Sequence, residues 1–123
     1  MAKPITIKWL AEPEPHDYPA AESYLGLLFP AKKAKNLAKE FKAAAITNFK
    51  AKDIFRASKL SLLGISNSHV EDDRRKIRAG SKLSPVLLVR SEDADCVVVA
   101  DGYHRLCAVY SFDEDALIPC KIV

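Results

Sequence analysis

A single α+β domain, a small mixed sheet preceded by helices, is what this sequence predicts. Three observations lead there. The chain has 123 residues, enough for one modest core, and its 49% hydrophobic and 28% charged residues are the balance of an ordinary globular protein. Helical periodicity dominates the N-terminal half. Apolar, β-branched runs come late, at residues 85–89, 96–99 and 118–123, so helices and strands are segregated rather than alternating as βαβ units.

Taken in order, residues 5–10 predict a short strand, with Trp9 anchoring the core or its edge. Pro13, Pro15 and Pro19 break regular structure and make residues 11–20 a connector. Residues 21–29 read as a short apolar helix. A clearer helix follows Pro30, with Ala34, Leu37, Ala38 and Phe41 at i, i+3, i+4 and i+7 and lysines on the other faces. Residues 46–49 suggest a brief extended segment and residues 52–58 a turn or two of helix. Ser68 and Glu71 form an S-x-x-E capping box for a helix through Arg74 and Ile77 that stops at Gly80. Residues 85–89 and 96–99 then pair as a hairpin across the polar stretch 91–95. Residues 102–112 give a helix with Tyr103, Leu106, Cys107 and Tyr110 on one face. Residues 118–123 finish as a strand, its Pro119 favouring a sheet edge or a strand start.

Several function classes drop out on composition. No stretch approaches the roughly 18 consecutive apolar residues of a membrane span, and residues 1–6 lack a secretory apolar run. The expectation is a cytoplasmic protein with no membrane association. Cys96, Cys107 and Cys120 are odd in number, sit in apolar contexts and form no C-x-x-C pair, which predicts reduced thiols and no metal site. The net charge of +3 is unevenly spread. Residues 31–59 hold nine Lys/Arg against Glu40 and Asp53, a local +7, whereas residues 92–115 hold seven Asp/Glu against Arg105, a local −6. A basic half of this kind fits a nucleic-acid partner or, more simply, two lysine-rich solvated helices.

Chemistry concentrates where the second apolar run meets the helix beginning near Gly102. A strand turning directly into a helix gathers free backbone N–H groups and the positive helix end at one point, a natural anion site. Gly102 lets a phosphate approach the backbone. His104 and Arg105 fall in the first turn, where positive charge is locally unfavourable unless an anion lies between it and the helix end. Arg105 would grip a phosphate bidentately and His104 would donate to another oxygen. The plainer alternative makes Asp101 an N-cap, Gly102 a turn residue, and His104 and Arg105 solvated. Tyr103 fits core packing better than base contact. Asp101 has two further roles open to it, a magnesium ligand through water or a general base. Arg74, Arg75, Lys76 and Arg78 follow Glu71-Asp72-Asp73, which favours a solvated face with i,i+4 pairs such as Glu71 with Arg75. His16 and His69 read as ordinary surface residues.

Residues 68–123 resemble the ParB/sulfiredoxin superfamily. The shared features run in order: the helix bearing Ile77 and ending in Gly80, the proline-led strand from Pro85, the run Val97-Val98-Val99, the loop Gly102-Tyr103-His104-Arg105 continuing to Ala108, and the closing strand with Ile118-Pro119. The G-x-H-R-x-x-A core is similar to sulfiredoxin, whose loop binds ATP phosphates; ParB proteins use the corresponding loop for CTP, and Asp101-Gly102 resembles the free-serine kinases. The resemblance implies a nucleoside triphosphate (ATP or CTP), with Mg²⁺ as a candidate companion, held by Gly102, His104 and Arg105; because the superfamily's preceding helix borders the nucleotide, it also implies Arg74 or Arg78 at the outer phosphates. It also implies a single domain over residues 1–123, with residues 1–60 as a helical elaboration. Hydrolysis, phosphoryl transfer and a conformational switch all stay open after binding.

The departures are informative. Sulfiredoxin's reactive cysteine is replaced by Tyr103, so sulfinic acid reduction is not expected. Partition ParB proteins continue into a helix-turn-helix domain that these residues do not include. Nuclease chemistry, a label the superfamily carries, finds no evident cluster of metal-binding carboxylates in the sequence. The competing reading from another class is a non-catalytic nucleic-acid or protein-partner module using the basic helices at residues 31–59.

Overall fold

The apolar runs assemble into a four-stranded mixed sheet whose two faces are both covered by helices. A computed structural model describes residues 5–64, 66–91 and 95–123. In chain order the elements are β1 (Lys8–Trp9), α1 (Asp17–Leu28), α2 (Ala31–Ala43), β2 (Thr47–Lys50), α3 (Ala51–Ser58), α4 (Ser68–Arg78), β3 (Lys82–Leu83), β4 (Val86–Ser91), β5 (Cys96–Asp101), α5 (Tyr103–Phe112) and β6 (Leu117–Ile122). The main sheet has the order β2-β6-β4-β5. Strands β2/β6 and β4/β5 pair antiparallel and β4/β6 parallel, while β1 and β3 form a separate two-stranded parallel ribbon. This is a small α+β domain with, among the described residues, five helices.

Alternation along β4 shows why its sequence is apolar throughout. Val86 and Leu88 enter one core with Ile54 of α3, Val70 and Ile77 of α4, and Leu106 to Val109 of α5. Leu87 and Val89 point the other way, into a second core with Ala21 and Leu25 of α1 and Ala34 and Phe41 of α2. Within residues 5–60, α1 and α2 seal one face of the sheet, and β2 adds an edge strand beside β6. No helix among the described residues is long and apolar enough to cross a membrane.

Three local expectations are corrected. Helix α1 starts at Asp17, inside the expected connector, because Pro19 falls in the first turn, where its missing N–H would have had no helical partner. The cap of α4 is Asn67, whose Oδ1 accepts from the N–H groups of His69 and Val70 at 3.0 and 3.2 Å; Ser68 is already helical, so the expected capping box does not form. Gly80 does end that helix, with φ +78 and the paired bonds of Gly80 N–H to Ile77 and Ser81 N–H to Lys76. Pro119 lies in an interior strand rather than at an edge. It is tolerated because β6 pairs with β4 only from Cys120 onward, leaving β2 as the one neighbour beside it. The 91–95 hairpin connection falls partly on residues 92–94, outside the described residues, but the antiparallel pairing of β4 with β5 stands as expected.

Candidate functional site

The junction of β5 and α5 is built around Gly102. Asp101 still pairs with Leu87 in the sheet, so the chain must reverse within one residue, and Gly102 does this with φ +103. A Cβ there would lie 2.9 Å from both Val86 Cγ2 and Arg105 Nη2. Gly102, not Asp101, thus occupies the N-cap position, and no side chain caps α5. The first-turn N–H groups of Tyr103, His104 and Arg105 precede the intrahelical ladder, which opens with Leu106 N–H to Gly102 at 2.9 Å. These residues face α4 across a cleft of about 240 Å³. Helix α4 supplies the far wall from His69, Asp72, Asp73 and Lys76.

Arg105 lines that cleft with its side chain bent toward the sheet. It folds back over Gly102, its Nη2 3.0 Å from Asp101 Oδ2 and 3.4 Å from the Pro85 carbonyl. The side chain is 18% exposed, and its Nε is buried without a hydrogen-bond partner among the described residues. Burial pushes the Asp101 carboxyl above its ordinary range; the Arg105 charge opposes this, and the nearby Asp17 carboxylate adds to it. Asp17, at the start of α1, is 3% exposed and accepts from Ser84 Oγ and from the Glu14 N–H. Asp101 is thus committed to orienting Arg105, which leaves it poorly placed as a free base.

His104 packs its ring on His69, with centroids 4.9 Å apart and planes tilted by 42°. Its pKa is lowered, first by burial and then by His69, with Asp73 opposing. Burial raises that of Asp73, against the pull of Lys76 and Arg105. Tyr103 packs beside the core with its hydroxyl donating to the Ser61 carbonyl, and it also lines the cleft. Arg74 and Arg78 do not line the cleft. Both guanidinium groups cover Phe112, 4.3 and 5.5 Å from the ring centre, and pair with Glu71 at 3.4 and 3.6 Å. Arg75 pairs with Asp72 at 3.3 Å, not with Glu71.

The α4 contribution was legible as a spacing. Residues 69, 72, 73 and 76 follow i, i+3, i+4 and i+7, a polar stripe one face away from Arg74 and Arg78. His69, exposed as expected, also lines the cleft. His16 is also partnered, 3.1 Å from Glu14 Oε2 and 3.3 Å from Asp17 Oδ1. Those three side chains, all within residues 14–17, bring ligating atoms within 4.8 Å of one another.

The chain matches no protein-family model, no curated protein and no solved structure. Its function has to be argued from the site itself.

Proposed function

We propose that this protein binds a Mg²⁺-complexed nucleoside triphosphate of the ATP or CTP class, with the phosphates at the start of α5. The observation that carries this reading is an uncapped helix N-terminus opening into a cleft that also gathers Lys76, His69 and His104. Free N–H groups and cationic or donor side chains converging on one point are what a polyphosphate requires. Asp72 and Asp73 share that cleft, Asp73 3.8 Å from the Lys76 ammonium, and they would repel a bare polyphosphate. A divalent ion between carboxylates and phosphates removes the conflict, so the residues fit the metal complex better than the free anion. The cleft suits a phosphate tail and leaves the nucleoside at its mouth. Arg105 acts as a positioning residue with a fixed positive charge, while direct contact falls to Lys76, His104 and the backbone. The order helix, strand, hairpin strand, glycine turn, helix and strand over residues 68–123 supports the ParB/sulfiredoxin resemblance as part of the same proposal.

The test is a thermal-shift panel of ATP, CTP, GTP, UTP and inorganic phosphate, each with and without Mg²⁺. A ligand bound only by the native state stabilises it by about 2.7 kcal/mol at a hundredfold excess over its dissociation constant. A selective rise with one Mg²⁺-triphosphate that disappears in Lys76→Ala and His104→Ala is the expected result. A flat panel, or a rise that survives both substitutions, rejects the site.

A further inference from the structure

A concavity larger than the α5 cleft lies elsewhere on the molecule. It is a groove of about 600 Å³ along the outer side of β5, floored by Cys96 to Val99. One wall comes from the end of α1 and the start of α2, with Tyr24, Leu28 and Phe29; the other comes from Ser58 and Leu60 after α3. β5 is an edge strand, hydrogen-bonded only to β4, so its outer N–H and C=O groups have no strand partner among the described residues. Helices α1 and α3 pack against β5 from opposite faces and leave that edge open between them. Leu27 beside the groove is 84% exposed, and Tyr24, Leu28 and Leu60 are exposed as well.

Among the described residues that line the groove, the charge has one sign. The lining includes Lys33, whose Nζ lies 4.4 Å from the centre of the Phe29 ring, and includes no carboxylate. Lys32, Lys35 and Lys59 are exposed close by in sequence, and none of these four lysines makes an ion pair among the described residues. Residues 23–39 and 54–70, which supply both walls, contain no Asp or Glu; the described acid nearest along the chain to the groove floor is Asp95, at the end of β5.

We infer that this groove receives an extended peptide segment of a partner protein, added as a strand on β5, with apolar side chains alternating with Asp or Glu. Each part of the surface sets one requirement. An unpaired strand edge calls for another strand, the apolar walls accept every second side chain, and the unpaired lysines select acidic residues between them. A nucleic acid would satisfy the lysines and leave the strand edge and leucines bare. An anionic bilayer would cover the leucines and leave the strand edge without hydrogen bonds. This inference is independent of the nucleotide reading, because the groove shares no lining residue with the α5 cleft.

The experiment is selection of a random phage-displayed peptide library on the immobilised full chain, followed by synthesis of the enriched peptides. The expected enrichment is alternating apolar and acidic residues. In isotope-labelled protein, binding should shift the amides of Val97, Val98 and Val99 and slow the exchange of the alternate ones whose N–H groups point away from β4. Affinity should fall at least tenfold in Leu28→Asp, and Lys32→Glu/Lys33→Glu should reverse the preference toward basic peptides. Both substitutions are at exposed positions, and a native amide spectrum of each variant controls for folding. No enrichment, or peptides whose affinity survives both variants, overturns the inference. So does binding to phosphatidylserine vesicles or duplex DNA that both variants abolish while no peptide binds.

Discussion

Gly102 is where backbone sterics and the candidate chemistry meet. Its φ of +103, and the 2.9 Å at which a Cβ would approach Val86 and Arg105, make any side chain costly. Gly102→Ala should destabilise the protein by about 1–3 kcal/mol in urea denaturation. A loss below half that range would mean that β5 and α5 can reorient freely at this turn. His104 gives a pH signature. Its folded pKa lies below its ordinary 6.5, so between the two values the unfolded chain holds more protons. Stability from this residue is present above the unfolded pKa and falls as pH drops through the folded one. A bound phosphate favours the imidazolium and should raise the His104 pKa, observable by NMR titration with and without ligand. An unchanged titration on saturation would remove His104 from the binding contacts. Thiol reactivity belongs to this scale too. Burial pushes the Cys120 thiol up to about 12 and raises Cys107, while Cys96 is half-buried on the edge strand. One thiol should react with a maleimide in the native protein and three after unfolding; a rapid second labelling would contradict the packing around α5.

Among the elements, α4 shows how a plausible sequence signal can be one residue out. Ser68-x-x-Glu71 has the form of a capping box, yet Asn67 precedes it and is at least as good a cap. The extended backbone at Asn67 lets one side-chain oxygen satisfy two N–H groups. Asn67→Ala should cost about 1 kcal/mol of stability, whereas Ser68→Ala should change it by less than about 0.5 kcal/mol. The reverse order by chemical denaturation would restore the Ser68 cap. The same helix carries two polar stripes, one over Phe112 and one on the cleft. Sequence spacing separates them, but only the docking of α4 on α5 says which faces the glycine turn.

For the whole molecule, the sheet separates two hydrophobic cores that share β4 residue by residue. Phe41, fully buried against the α1/α2 face, should cost about 3–5 kcal/mol when truncated to Ala. Because adjacent β4 side chains belong to opposite cores, unfolding should remain one transition by fluorescence and circular dichroism. Separate transitions would show the α1/α2 layer melting alone. The closed packing also explains Lys121, 2% exposed on that face. Its Nζ reaches Glu12 at 3.1 Å and the Lys42 carbonyl at 3.4 Å from beneath the N-terminal connector.

Local physics sufficed for much of this. Helical spacing at Ala34, Leu37, Ala38 and Phe41, the Gly80 stop, the valine runs and the Gly102 turn each follow from the preferences of nearby residues, and all are legible in the chain alone. The α+β class follows from their order. What the chain alone leaves open depends on partners distant in sequence. Pro119 sits in an interior strand because β4 begins late beside it, and Arg105 turns to Asp101 because Gly102 opens the space. Asp17 joins Ser84 and Asp101 across most of the chain, and Lys76 rather than Arg74 or Arg78 faces the cleft. Periodicity says which residues share a face; only tertiary packing decides what that face meets, because that contact is made by residues no local preference connects.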